Sequence, residues 1–164
     1  MEQHAFLEHA INQYGKATYN FAYRLTGNAA DASDLTQEAF IRVFRAWQSF
    51  KPGTSFLSWI YRIVTNLHRD ELRRRKGRYQ EESELAVQPI EEYVEGHLSE
   101  PVSKALADLT PDQRRIVLLA DVEECSYEEI GKIVGCSVGT VRSRLHRARG
   151  QLRKLVNQYM KSSS

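Results

Sequence analysis

Two stretches of this sequence concentrate arginine with little acid to match, and helical spacing would turn much of that charge outward. Between Val138 and Lys154 stand six basic residues (Arg142, Arg144, Arg147, Arg149, Arg153 and Lys154) and no Asp or Glu. At about 100° per residue, Val138, Val141, Leu145, Ala148, Leu152 and Leu155 form one inward stripe. Gly139, Ser143, His146 and Arg147 lie opposite, flanked by Thr140, Arg142 and Arg149. Small residues permit close approach, and arginine pairs with guanine edges or with phosphates, so this face suits a major groove. The second stretch runs from Arg62 to Arg78, with seven basic residues against Asp70 and Glu71, a net +5. In it Arg62, Asn66, Arg69 and Arg73 recur at three- and four-residue spacing, with Trp59 and Asp70 at their border. Basic side chains near aromatics suit a strand whose bases are unstacked. Phe56, Ile60, Ile63 and Leu67 supply the inward stripe of the same helix, and Phe56 and Trp59 read more readily as core than as stacking platforms.

The elements that must hold these faces are all helical. Ser126-Tyr-Glu-Glu129 is a capping box that opens a short helix ending at Gly135. The turn Gly135-Cys136-Ser137 leads into the basic helix, capped by Ser137 and able to run to Tyr159. Ile130, Ile133 and Val134 can face Val138, Val141 and Leu145, the crossing of a helix-turn-helix. Gly135 suits the left-handed conformation such a turn favours. Upstream, a helix carries Val102, Leu106 and Leu109. Thr110-Pro111-Asp112-Gln113 is a second capping box, with proline in the first turn, launching a helix through about Val122. In the N-terminal half, helices are expected at about Gln3–Thr26, Asp31–Trp47 and Phe56–Lys76. Gly27-Asn28 and Pro52-Gly53 interrupt them. No strand alternation and no internal repeat occur.

The expected fold is therefore all-α, with two small helical domains joined by a flexible acidic linker and a helix-turn-helix in the C-terminal domain. The boundaries are residues 1–78, a linker at 79–100, and 101–164. From Tyr79 to Ser103 there are seven glutamates and no Lys or Arg, a net −7. Two basic faces separated by an acidic connector predict two docking places for a polyanion.

Other functions are disfavoured. The chain has 164 residues, 41% apolar and 27% charged, a composition of folded rather than disordered protein. Its longest apolar run, Ile116 to Ala120, falls far short of the roughly 20 residues of a membrane span. Glu2, His4, Glu8 and His9 interrupt any secretory leader, so the cytoplasm is the expected compartment and no membrane insertion is expected. Cys125 and Cys136 form no C-x-x-C pair and read as reduced thiols without a function. The five histidines (4, 9, 68, 97 and 146) are scattered, and Asp70-Glu71 is a lone acidic pair inside a basic run. Catalysis needs clustered carboxylates with a metal, or a nucleophile beside a base. The chain is read as no enzyme, with no metal and no cofactor.

A helix-turn-helix by itself says only that DNA is bound; the first domain narrows the claim. Asp34-Leu-Thr-Gln-Glu-Ala-Phe-Ile-Arg-Val-Phe44, Trp59-Ile-Tyr-Arg-Ile-Val-Thr-Asn66 and Asp70-Glu-Leu-Arg-Arg74 together resemble region 2 of the extracytoplasmic-function (ECF) sigma factors. Leu109-Thr-Pro-Asp-Gln-Arg-Arg115, followed by the helix-turn-helix, resembles their region 4. The resemblance covers about residues 5–76 and 101–156, in the family's order and spacing. One departure is Gly131, where the family usually has alanine; glycine there costs a helix up to roughly 1 kcal/mol.

The resemblance implies a sigma factor that joins bacterial core RNA polymerase and directs initiation at promoters with −10 and −35 elements. Asp34, Leu35, Gln37, Glu38, Phe40 and Phe44 would hold the polymerase clamp helices, although Leu35 could equally be core. Lys51, Gly53, Thr54 and Ser55, with Arg62, Asn66, Arg69, Asp70 and Arg73, would read the −10 element and capture a flipped base. Ser137, Thr140, Arg142, Ser143, His146 and Arg147 would read the −35 element as duplex. Arg144, Arg149 and Arg153 are left for phosphates or solvent. Besides polymerase and promoter DNA, an anti-sigma protein is an implied partner. About 25 base pairs between the elements span roughly 85 Å at about 3.4 Å per pair. Two domains of about 15 Å radius leave some 55 Å for the linker to cross. Twenty-two linker residues reach at most about 75 Å. A loose coil of that length averages only about 26 Å, so the linker must be held open. The polymerase would hold it, with its glutamates in a basic channel. The competing reading is a helix-turn-helix regulator that binds DNA without joining polymerase.

Overall fold

Gly27 turns the chain at a left-handed φ of 69°, where glycine carries no Cβ penalty, and so separates the first two helices. The structure is a computed structural model that describes residues 2–77 and 98–162. Helix α1 spans Glu2–Thr26 and α2 spans Ala29–Arg45. The second starts two residues before the expected Asp31, because the Asn28 side chain accepts from the Asp31 amide at 3.0 Å and caps it. The two helices pack as a hairpin, closed at its open end by Gln3 Nε2 donating to the Phe44 carbonyl at 2.6 Å. A 3-10 turn at Trp47–Ser49 and a loop through residues 50–55 lead to α3, Phe56–Gly77.

These three helices bury Phe21, Leu25, Val43, Ile60, Tyr61 and Val64. Each large apolar side chain so buried contributes about 1.5–3 kcal/mol. Ile11, whose helical spacing from Leu7 and Tyr14 would turn it inward, is 44% exposed. Ala10, Thr18 and Ala22 are buried instead, so small residues form much of the packed side of α1. At one end of the unit Phe6, Phe50, Phe56 and Trp59 form an aromatic cluster with centroid separations of 5.4–6.1 Å.

The chain divides into two compact units, the second holding α4 to α7. These are α4, Glu100–Asp108; α5, Pro111–Val117; α6, Tyr127–Val134; and α7, Val138–Ser162. Both capping boxes form, with Thr110 and Gln113 at α5 and Ser126 and Glu129 at α6 each exchanging reciprocal bonds. Helix α5 does not run on to Val122 as an α-helix. It widens at Leu118–Val122 into a π-helical turn, in which the Glu123 amide bonds the Leu118 carbonyl at 2.9 Å.

Arg114 closes the joint between α4 and α5. Its guanidinium donates to the carbonyls of Leu106 at 2.8 Å, Ala107 at 2.8 Å and Leu109 at 3.0 Å. These carbonyls lie at the C-terminal end of α4, where the usual i+4 donors are missing; Leu106 also accepts from the Leu109 amide at 3.2 Å. Burial, then the neighbouring Arg115 charge, lowers the Arg114 pKa from its ordinary value. Among the described residues no strand occurs. The expected linker at 79–100, including its placement in a basic channel, lies almost wholly outside the described residues.

Candidate nucleic-acid interface

The basic helix α7 is fixed by its apolar stripe: Val141, Leu145 and Ala148 are buried and Leu152 and Leu155 half-buried. Its start is built from hydroxyls. Ser137 Oγ accepts from the Thr140 amide at 3.2 Å and lies 2.9 Å from Thr140 Oγ1, while Ser143 Oγ donates to the Thr140 carbonyl at 3.1 Å. Gly135 enters the turn at φ 78°, as its position required. Gly139, Arg142, Ser143, His146 and Arg147 together line one open surface hollow. Four of the six residues read as duplex contacts therefore meet in a single concavity, and Ser137 and Thr140 stand at the helix end that leads into it.

The arginines of this helix are not equivalent. The Arg142 guanidinium lies 5.9 Å from the Tyr127 ring centre, a cation–π contact from the first residue of α6. Arg149 makes a fork to Asp121, Nε to Oδ2 at 3.0 Å and Nη2 to Oδ1 at 2.6 Å. That bond raises its pKa further. Arg149 was expected to serve phosphate or solvent; in the structure it is held by a carboxylate instead. Arg144, Arg147 and Arg153 have no acidic partner among the described residues.

In the first unit the −10 candidates fall on a loop and one helix side. Gly53 takes φ 89°, and Thr54 bonds back to the Lys51 carbonyl through its amide at 3.2 Å and its hydroxyl at 2.6 Å. Lys51, Gly53, Thr54 and Ser55 are all exposed, and Ser55 also caps α3 by accepting from the Ser58 amide at 3.2 Å. On α3, Arg62, Asn66, Asp70 and Arg73 are exposed and Arg69 is half-buried. Toward the end of α3 the cations divide. Arg73 reaches Asp70 only at 4.0 Å, Arg74 pairs with Glu71 at 3.2 Å, and Arg75 bonds both Asp31 at 3.1 Å and Glu71 at 3.2 Å. Trp59 is half-buried in the aromatic cluster, its ring tilted 5.4 Å from Phe50 and edge-on 5.6 Å from Phe56.

The candidate polymerase face lies on α2. Asp34 and Gln37 are exposed, Glu38 pairs with Arg42 at 3.7 Å, and Leu35 is half-buried. Phe40 is 7% exposed and belongs to the core, and Phe44 is half-buried with its ring 5.1 Å from His4. Phe40 thus helps to hold α2 in place, while Phe44 keeps part of its surface open. Ile41, not among the residues the resemblance implies, is 42% exposed at the i+3, i+4 and i+7 spacing from Glu38, Gln37 and Asp34. The spacing was visible, but an isoleucine inside an apolar-rich helix reads as core by default.

Cys125 is half-buried, and burial, with Glu129 and Glu123 nearby, pushes its thiol up to about 12. Among the described residues no group of three or more His, Cys, Asp or Glu could hold a metal ion, and no helix is long and apolar enough to cross a membrane.

Residues 10–78 match the Sigma-70 region 2 family, and residues 99–152 match Sigma-70, region 4. The chain is 47% identical over 152 residues to the ECF RNA polymerase sigma factor SigE of Mycolicibacterium smegmatis, covering 87% of this chain and 58% of that protein. It is 34% identical over 168 residues to the ECF RNA polymerase sigma factor SigW of Bacillus subtilis, covering 93% of this chain and 89% of that one. Among solved structures, the sigma factor RpoE from Bartonella quintana, crystallised with the anti-sigma factor NepR, superposes with a TM-score of 0.76 at 27% identity. That match covers 92% of this chain and 96% of RpoE.

Proposed function

This chain belongs to the ECF group of the sigma-70 family, and on that premise we propose that it joins bacterial core RNA polymerase and directs promoter-specific initiation. The observation that carries the reading is the hollow on α7, where Arg142, Ser143, His146 and Arg147 converge on a helix whose opposite side is buried. In this reading that face enters the major groove at the −35 element, where arginine and small polar groups discriminate base edges. The 50–55 loop and the Arg62, Asn66, Arg69, Asp70 and Arg73 side of α3 take the −10 element as an opened strand. Extruding a base costs a few kcal/mol in lost stacking and pairing, so a fitted receptor must offset it. Asp34, Gln37, Glu38 and Ile41 on α2 meet the polymerase clamp helices, with the isoleucine as apolar contact among polar ones.

The division into residues 1–78, 79–100 and 101–164 follows the same plan, with polymerase and −10 contacts in the first part and −35 contacts in the last. The chain acts as a recognition subunit, not as an enzyme, and works in the cytoplasm where polymerase and chromosome are. An anti-sigma protein is its expected restraint; the complex of the similar RpoE with NepR supports this. A regulator that binds DNA without polymerase is disfavoured, because it gives the first unit no reason to match region 2.

The test is transcription in vitro by bacterial core polymerase on pooled genomic fragments, with and without this protein. New transcripts that share paired upstream elements are expected, and they reveal the promoter. Silence from verified active core with folded protein would overturn the assignment.

A further inference from the structure

Arg149 is one of several cations of α7 to which the reading above gives no base contact, and among them it is the one bonded to a carboxylate. It lies three residues after His146 and seven after Arg142, beside the hollow, yet both ends of its fork are taken by Asp121. Asp121 reaches it because the chain leaves α-helical winding at Leu118. In the π-helical turn the Glu123 amide bonds the Leu118 carbonyl at 2.9 Å, and just beyond it the Cys125 amide closes back on the Leu119 carbonyl at 2.9 Å. The wider winding changes the phase of the side chains: Leu118 and Leu119 are both fully buried, while Asp121 faces α7. Such turns are rare, and they recur at functional sites. Glu124, just beyond, adopts φ 55°, an unfavourable conformation for a residue with a side chain. Two costly conformations thus accompany one carboxylate bonded to one arginine.

The pair is a poor candidate for a stabilising device. The fork is bidentate, but its side chains are 39% and 40% exposed, and solvent screens most of what so open a pair contributes. What it does change is the charge offered to DNA. Cations that neutralise phosphates release counterions and give affinity for any sequence, and a cation already paired adds nothing to that affinity.

We propose that Asp121 is a specificity-determining residue acting through Arg149, whose guanidinium it withholds from the DNA backbone. The proposal rests on the reading of α7 as the −35 duplex reader. On the correct element, base contacts by Arg142, Ser143, His146 and Arg147 fix the register of α7, and Arg149 stays on Asp121. On arbitrary DNA no register is fixed, and a released Arg149 would find the nearest phosphate. Asp121 therefore weakens binding to arbitrary DNA more than binding to the element.

The experiment measures binding of the full chain by fluorescence anisotropy over a salt series. One duplex carries the −35 element recovered by transcription, and the other is scrambled. Asp121→Asn is expected to bind the scrambled duplex about 2–5-fold tighter, with a salt slope steeper by about 0.9, the value of one more phosphate contact. Binding to the −35 duplex changes less, so the specificity ratio falls. In the Asp121→Asn, Arg149→Gln double variant the gain disappears, which a merely structural role for Asp121 would not produce. Asp121→Ser provides the same test should the asparagine variant fail to fold, as judged by circular dichroism. A folded variant that binds scrambled DNA no tighter, or a gain that survives in the double variant, overturns the proposal. If the unaltered chain shows no preference for the −35 duplex, the reading of α7 fails first and this proposal with it.

Discussion

The carbonyl oxygen of Cys136 lies 2.6 Å from the point where a Cβ on Gly131 would stand. The Gly131 carbonyl also accepts from the amides of Gly135 at 2.8 Å and Cys136 at 2.9 Å. The turn of the helix-turn-helix thus folds back onto α6 where no side-chain atom has room. From sequence, this glycine looks like a pure cost in helix propensity; in the fold it lets the turn close.

The variant Gly131→Ala is expected to lose more by crowding than it gains in propensity. A net destabilisation of about 1–2 kcal/mol combines an overpacking cost with up to about 1 kcal/mol returned by alanine. Thermal unfolding of the full chain followed by circular dichroism should show the second unit melting lower by about 4–15 °C. A raised melting temperature would mean that the Cys136 peptide yields, and the turn would then not depend on glycine.

Arg147 is exposed, lines the hollow and has no acidic partner among the described residues. Replacing it with alanine is expected to weaken binding to the −35 duplex by about 1–3 kcal/mol, the value of a good base contact. Competition titrations against duplexes altered at single positions check this. The loss should be concentrated at one position of the element. An equal loss on every duplex would assign Arg147 to a phosphate.

Much of this was legible in the sequence, because the fold states itself locally. Capping boxes at Thr110 and Ser126, glycines at 27 and 135 and the stripe Val141, Leu145 and Ala148 each fix an element through neighbours a few residues away. What was not legible depends on partners distant in sequence. Nothing near Arg149 announces Asp121, 28 residues earlier, because the π-helical turn that aligns them has no periodic signature. Ile11 and Ile41 look like core until the packing leaves them exposed. The role of Arg114 as a cap on α4 likewise needs the angle at which α5 leaves, which only the folded unit supplies.

Charge alone would let Arg73, Arg74 and Arg75 at the end of α3 act on DNA together, but the ion pairs divide them. Arg75 is bonded to Asp31 and Glu71, and the Asp31 hydrogen bond is the main cause of its raised pKa. Arg73 reaches its acid only at 4.0 Å. Arg73→Ala should therefore flatten the salt dependence of binding to an opened −10 strand by about 0.7, the value of one phosphate on single-stranded DNA. Arg75→Ala should change the slope by less than half as much. Instead it should lower the stability of the first unit by up to about 1 kcal/mol, the range of exposed ion pairs. Equal slopes for the two variants would show that DNA competes Arg75 away from its carboxylates.

Cys125 links pH to the stability of the second unit. Burial, then the charges of Glu129 and Glu123, moves its thiol from 9.0 to about 12 in the folded chain. The folded form thus keeps a proton that the unfolded form gives up. The resulting stabilisation is fully present below pH 9 and is lost as pH rises toward 12, because the unfolded state binds fewer protons there. Urea unfolding at pH 8 and at pH 10.5 should show a larger loss of stability for the native sequence than for Cys125→Ala. Lysines and tyrosines titrate in both proteins, so the difference between them isolates the thiol. At pH 8 the same thiol should react with iodoacetamide far more slowly in the folded chain than in urea, since the thiolate is the nucleophile. Equal pH losses in the two proteins, or equal alkylation rates folded and unfolded, would mean that water reaches Cys125 and that Glu123 and Glu129 do not hold it neutral.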